Sequence, residues 1–234
     1  MAKTPPDKPA SAARQRHQAG TRGINRNSPL AANRRISRKT EGVQAAILDA
    51  AAEVFARKGY HLTKLVDISD RLGMHVTALR YHFPTKEVIA EEIVNRVART
   101  NLERLQEALQ ALPPGASVRD RLSAAITTYM RVTASSIVYI AAHGNIVNQL
   151  PDEARAAHYR LLRDFLSIWR GMIGEAAERG ELAPGLSPSV ATQVVLGAVI
   201  WTREWYRAEL APPDEIAEQI KATLFGGLLA DPAG

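Results

Sequence analysis

A glycine set between two short apolar-periodic segments constrains this chain more than any other feature. In the stretch TKLVDISDRLGMHVTALRYHFPTK, residues 63–86, Leu65, Ile68 and Leu72 fall on one face at helical spacing and Gly73 follows at once. A tight turn between helices favours a positive φ at that point, which glycine adopts without a Cβ penalty. The spacing predicts one helix over about 65–72 and a second over 76–82, which buries Leu79 and hands Phe83 to the core. His75, Val76, Thr77, Arg80 and Tyr81 are left facing outward. Pro84 has no N–H and suits a first helical turn, so it closes the second helix and opens the next. Two short helices crossing at a glycine turn, the second with a polar outer flank, form a helix-turn-helix whose second helix lies in a DNA groove. A small helical hairpin with no DNA role is the bland alternative.

The flanks decide between these. ILDAAAEVFARKGYHLTKLVDIS stands upstream and HFPTKEVIAEEIV downstream. Through Ile47, Ala50, Ala51, Phe55, Gly59, Tyr60, Thr63, Ile68, Gly73, Leu79, His82, Phe83, Lys86 and Glu87, residues 46–94 resemble the DNA-binding domain of the TetR (TetR/AcrR) family of bacterial transcriptional regulators. The resemblance implies an all-α fold. An N-terminal three-helix helix-turn-helix DNA-binding domain is expected over 41–88, and a C-terminal helical ligand-binding and dimerisation domain over 89–234. Phosphate contacts are implied for Thr63, Lys64, His82 and Lys86, with a core histidine beside Phe83 as the competing reading of His82. By outward position, Val76, Thr77 and Tyr81 reach base edges, and Arg80 meets a guanine or a phosphate. Two residues depart from the family pattern: His75 stands near a usual serine, and Arg80 where a tyrosine is common. Lys64 replaces a frequent threonine, which leaves Thr63 as the expected cap of the first motif helix.

Charge is unevenly distributed. Residues 1–40 hold ten Lys or Arg against one acid, Asp7, while the rest of the chain holds 20 basic and 23 acidic residues. This segment is rich in Pro, Ala, Asn, Ser and Arg without apolar periodicity, so it reads as a disordered basic arm. Beside a DNA-binding domain such an arm neutralises phosphates, and Arg34, Arg35, Arg38 and Lys39 are its nearest charges. Residues 41–88 carry six basic and six acidic side chains, so placed donors and the arm must supply the affinity.

The remaining pattern is helical throughout. A supporting helix is expected over 42–58, a long linking helix over 84–112, and others over 118 into the 130s, 135–150 (one bent helix broken at Gly144, or a short separate one), 151–179, 188–210 and 213–229. No apolar run approaches the ~18 residues of a membrane span. No secretory signal opens the chain and there is no cysteine, so a cytoplasmic protein without disulfides or thiolate chemistry is expected. His61, His75, His82, His143 and His158 show no metal spacing, and no phosphate loop or nucleophile motif occurs. Neither cofactor nor metal nor catalysis is expected.

Gly197 and Ala198 among large apolar residues permit close helix approach, and the resemblance implies a homodimer through the last two helices. Polar and aromatic groups within the C-terminal helices suit a small hydrophobic effector, with Tyr129, His143, His158, Trp169, Trp201 and Trp205 as candidate contacts and Tyr139, Asn145, Asn148 and Arg203 beside them. The segment WTREWY and the following DEIAEQIKATLFGGL resemble the C-terminus of TetR-type regulators of lipid and acyl-CoA catabolism, which implies an acyl-CoA or lipid-like effector. The expected function is sequence-specific repression from a palindromic double-stranded operator. A non-specific architectural DNA-binding protein is the alternative, and an enzyme a remoter one.

Overall fold

The computed structural model describes Met1 and residues 29–228, with side chains from residue 40 to 227. Residues 1–41 and 42–234 are two separate units. Helix α1 runs Pro29–Lys58. It begins earlier than the expected 42, so residues 29–40, read above as part of a disordered arm, are helical in backbone. The reason is local: Pro29 fits a first helical position, and Ala31, Ala32, Arg34, Arg35, Arg38 and Lys39 are strong helix formers with no breaker among them. The side chains of Arg34, Arg35, Arg38 and Lys39, and all of residues 2–28, lie outside the described residues.

The motif helices are α2 (Leu65–Arg71) and α3 (Val76–His82). Then come α4 (Lys86–Gln110), α5 (Val118–Ser135), α6 (Ile137–Ile146), a 3₁₀ turn (Val147–Gln149) and α7 (Asp152–Glu178). The chain continues through α8 (Pro188–Ile200), α9 (Thr202–Trp205) and α10 (Pro213–Leu228). The single helix expected over 188–210 is broken at Trp201. The buried Thr202 hydroxyl donates to the Val199 carbonyl at 2.7 Å, competing with the helical ladder. Tyr206 then turns extended (φ −61°, ψ 132°) to bury its ring and donate its hydroxyl to Ala211 O at 3.3 Å.

Two apolar cores hold unit 42–234 together. One joins α5, α7, α8 and α10 through Leu122, Ile126, Met130, Phe165, Trp169, Ile173, Val195, Val199 and Ile216. The other surrounds Ile47, Ala51, Phe55, Ile68, Leu79, Ile89 and Ile93, and it also takes in Ala142, Ile146, Leu150 and Ala154. The motif's core is therefore completed by α6 and the start of α7, far along the chain. Among the described residues no helix is long and apolar enough to cross a membrane.

Candidate nucleic-acid interface and effector cavity

Local chemistry fixes the motif turn. Gly73 has φ 62°, its N–H donates to Asp70 O at 3.1 Å, and the Met74 N–H donates to Ser69 O at 3.0 Å, closing α2 as a Schellman turn. His75 then replaces the serine as the cap of α3. Its Nδ1 accepts from the Thr77 N–H at 3.3 Å and lies 3.0 Å from the Thr77 hydroxyl. Leu79 is fully buried and Phe83 nearly so, which locks the inner flank of α3. His75, Thr77, Arg80 and Tyr81 are exposed (Tyr81 84%), and Val76 is half-buried. His82 is half-buried with its ring edge-on to Tyr81, centroids 5.2 Å apart. Among the described residues Arg80 has no ion-pair partner, so its fork is uncommitted.

α1 and α4 brace this motif. Arg71 pairs with Glu53 through both its Nε (2.9 Å) and a terminal nitrogen. Lys58 reaches Asp67 at 2.7 Å, and the Lys64 N–H donates to the same carboxylate at 2.7 Å. Lys58 first, then that backbone bond, holds the Asp67 carboxyl below its usual range. Lys64 itself points its side chain outward.

Two expected phosphate contacts are corrected. Thr63 is only 1% exposed, and its hydroxyl donates to Gly59 O at 2.7 Å, so it neither caps α2 nor faces outward. Lys86 turns its ammonium onto the carbonyls of Tyr60 (3.0 Å), Thr63 (3.1 Å) and His61 (3.4 Å), and it lies 4.5 Å from the Tyr60 ring centroid. All three of its donors are taken by the loop that leads into α2. Lys86→Met should therefore lower stability by about 1–2 kcal/mol through unpaired carbonyls, and leave the slope of operator affinity against salt unchanged. Denaturant melts and salt titrations check both; a flatter slope at full stability would restore Lys86 as a phosphate contact. Glu87 accepts from the Tyr60 hydroxyl at 3.2 Å; burial foremost, and Glu87 after it, push that phenol up to about 12.

Behind the motif lies a cavity of about 580 Å³ walled by α4, α5, α6 and α7 and closed by Ile200, α9 and the residues after it. Val94, Ala98, Ile140, Leu162 and Phe165 make it largely apolar. Of the predicted contacts Tyr129, His143 and His158 line it; Trp169, Trp201 and Trp205 do not. Trp169 is fully buried in the α5–α7–α8 core, while Trp201 is 64% exposed and Trp205 also reaches the surface. Three aromatic residues on helical stripes thus serve three different faces, a distinction that periodicity does not carry. Asn101, Thr133 and Arg207 are lining residues the sequence did not single out, and Arg203 joins them.

His143 and His158 face each other across α6 and α7, Nε2 to Nε2 at 3.1 Å, and His158 Nδ1 lies 3.3 Å from Asn95 Oδ1 on α4. The amide oxygen only accepts, so His158 carries its proton on Nδ1, its Nε2 accepts, and His143 donates from Nε2. Burial first, then His158 and Arg203, lowers His143 to about 4; burial also lowers His158. The pair is neutral at neutral pH.

α6 also grips α1. The Tyr139 hydroxyl donates to Asp49 at 2.5 Å and accepts from Arg96 at 2.9 Å, and the Asn145 amide donates to Phe55 O and Ala56 O, both at 3.3 Å. Those carbonyls belong to the last turn of α1, where Phe55 O also accepts from the Gly59 N–H at 3.0 Å. Tyr139 and Asn145 therefore belong to this junction, and Asn148 is exposed.

A second motif helix held outward, on a helical frame that encloses a cavity, defines a helix-turn-helix transcriptional regulator. Family models agree: the model described as "Bacterial regulatory proteins, tetR family" matches residues 47–93, and "Tetracyclin repressor-like, C-terminal domain" matches 115–228. A solved regulator of the TetR/AcrR family from Thermobifida fusca is 32% identical, with 80% of this chain and 98% of that one aligned at a TM-score of 0.60. The HTH-type transcriptional repressor KstR2 of Rhodococcus jostii is 24% identical, over 80% of this chain and 91% of that protein. The fatty acid metabolism regulator protein of Bacillus subtilis is 25% identical, over 65% of this chain and 77% of that protein. The chain belongs to the TetR family: it is a DNA-binding transcriptional regulator and not an enzyme.

Proposed function

We propose that this regulator is a one-component repressor, with residues 41–88 binding a palindromic operator and residues 89–234 receiving a small hydrophobic effector and forming a homodimer. One observation carries the reading: α6 lines the cavity with Ile140, His143 and Gly144 while Tyr139 and Asn145 on the same helix hold α1. α4 does likewise, running from the motif into the cavity wall. A ligand that fits one arrangement of these helices better than another shifts the pair of reading helices away from the operator spacing. About 580 Å³ of mostly apolar space suits an acyl chain or fused rings. The names of the relatives, a fatty acid metabolism regulator among them, support an acyl-CoA or lipid-like effector. Exposed Val190, Val194 and Gly197 on α8, with Trp201 just after it, form one stripe, and α8 with α10 is the proposed dimer face. The basic segment before residue 41 adds phosphate contacts. Such a regulator works in the cytoplasm, with no cofactor.

The test is footprinting on DNA upstream of the chain's own gene, with and without long-chain acyl-CoA. A protected palindrome released by ligand is expected, protection should depend less on salt once residues 1–39 are removed, and light scattering should show a dimer that Trp201→Glu converts to monomer. Protection without sequence preference would favour the architectural alternative, and operator affinity unmoved by every ligand that binds would defeat the switch.

A further inference from the structure

The polar groups of the cavity are not scattered. Tyr129 and Thr133, one turn apart on α5, are 8% and 2% exposed and both line the cavity. Among the described residues the Thr133 hydroxyl completes no well-formed hydrogen bond, and it lies close enough to the Tyr129 hydroxyl to act on it. Arg203 on α9 lines the same space, close enough for its charge to act on both Tyr129 and His143. Its Nε donates to Glu204 at 3.0 Å, which leaves the two terminal nitrogens of the fork free. Among the described residues Glu204 is the one acid on the cavity wall, beside Arg203 and Arg207, and His143 and His158 are neutral. A buried hydroxyl without a partner is costly, and Arg203, paired with Glu204 through Nε alone, keeps its terminal N–H groups for a further acceptor beside that hydroxyl.

We propose that the cavity takes an apolar molecule bearing one anionic group, which sits against Arg203 and accepts from the Thr133 and Tyr129 hydroxyls while the hydrocarbon fills the space toward Val94 and Leu162. The proposal rests on the reading of this cavity as the effector site and adds the chemistry of the ligand's polar end. Burial pushes the Tyr129 phenol up, so it remains a donor. A carboxylate and the phosphates of an acyl thioester share this chemistry.

The experiment titrates the full-length protein with dodecanoate, dodecanoyl-CoA and dodecan-1-ol by calorimetry, alongside Arg203→Met and Thr133→Val. Dodecanoate or dodecanoyl-CoA should bind, and Arg203→Met should weaken that binding at least about tenfold while dodecan-1-ol changes little. Thr133→Val should weaken the same ligand by a smaller factor. Tighter binding of dodecanoate assigns the site to a carboxylate, and tighter binding of the thioester to its phosphates. Equal affinity for the alcohol, no binding by either anion, or Arg203→Met without effect overturns the proposal. Arg203-dependent binding that leaves operator affinity unmoved would uphold the anion site and remove the switch instead.

Discussion

Between pH 6.5 and pH 4 the protein should lose about 3 kcal/mol of stability that a His143→Gln variant does not lose. The sign follows from the neutral state. In the unfolded chain His143 titrates at its ordinary value of 6.5; in the fold, burial, the facing His158 ring and Arg203 lower it to about 4. Above pH 6.5 both states are unprotonated and the stability is whole. Below it the unfolded chain takes up a proton that the folded chain refuses, at a cost of about 1.4 kcal/mol per pH unit until the folded value is reached. His158 shifts in the same direction from burial, so the variant should keep a smaller slope. Urea melts of the two proteins at pH 7.5 and pH 4.5 check this. Carboxylates titrate in both alike, so the difference between the proteins isolates His143. Parallel losses would mean that His143 takes up a proton inside the fold as readily as outside it. The cavity is where this matters, because a neutral His143 leaves its charge to Arg203, Arg207 and Glu204.

The second motif helix is the most legible part of the chain. Val76–His82 begins and ends where the apolar positions and Pro84 placed it, because Leu79, Phe83 and Gly73 act within a dozen residues of one another. Legibility falls with contact distance in sequence. The family pattern marks Lys86 for a phosphate, but its partners are carbonyls of the turn at 60–63, and backbone acceptors leave no mark on a residue pattern. Thr63 went the same way, its hydroxyl spent on Gly59 O. The three tryptophans fall on apolar stripes, yet only packing tells that Trp169 joins the core while Trp201 stands exposed at the end of α8. The chain from Asn95 through His158 to His143 links three helices across 63 residues of sequence and exists only once α4, α6 and α7 have packed. Even the helix over 29–40 was hidden by composition: the same arginines and alanines that suggested a solvated arm also favour helix.

Arg80→Ala should give the largest loss in operator binding of any single change on α3. In a two-fold complex each substitution counts twice, so a fork reading a guanine in each half-site is worth about 2–6 kcal/mol in total. The geometry favours this residue over its neighbours. Thr77 spends its hydroxyl near His75 Nδ1, and Tyr81 is committed edge-on to His82, whereas Arg80 is exposed and, among the described residues, without an ion-pair partner. Two outcomes separate its roles. If Arg80 reads a base, the alanine variant loses affinity for the operator while binding to unrelated duplex falls little, and base preference relaxes at one position of each half-site. If it clamps a phosphate, all sequences weaken alike and the salt slope drops by about one per half-site. Leu79 is the control from the opposite flank of the same helix. Leu79→Ala opens a void in the motif core and should cost about 2–5 kcal/mol of folding stability, with DNA affinity lost only as α3 loses its seat. Melting each variant before titrating it tells a missing reader from a collapsed one. An Arg80→Ala protein that melts and binds like the parent would remove α3 as the reading surface.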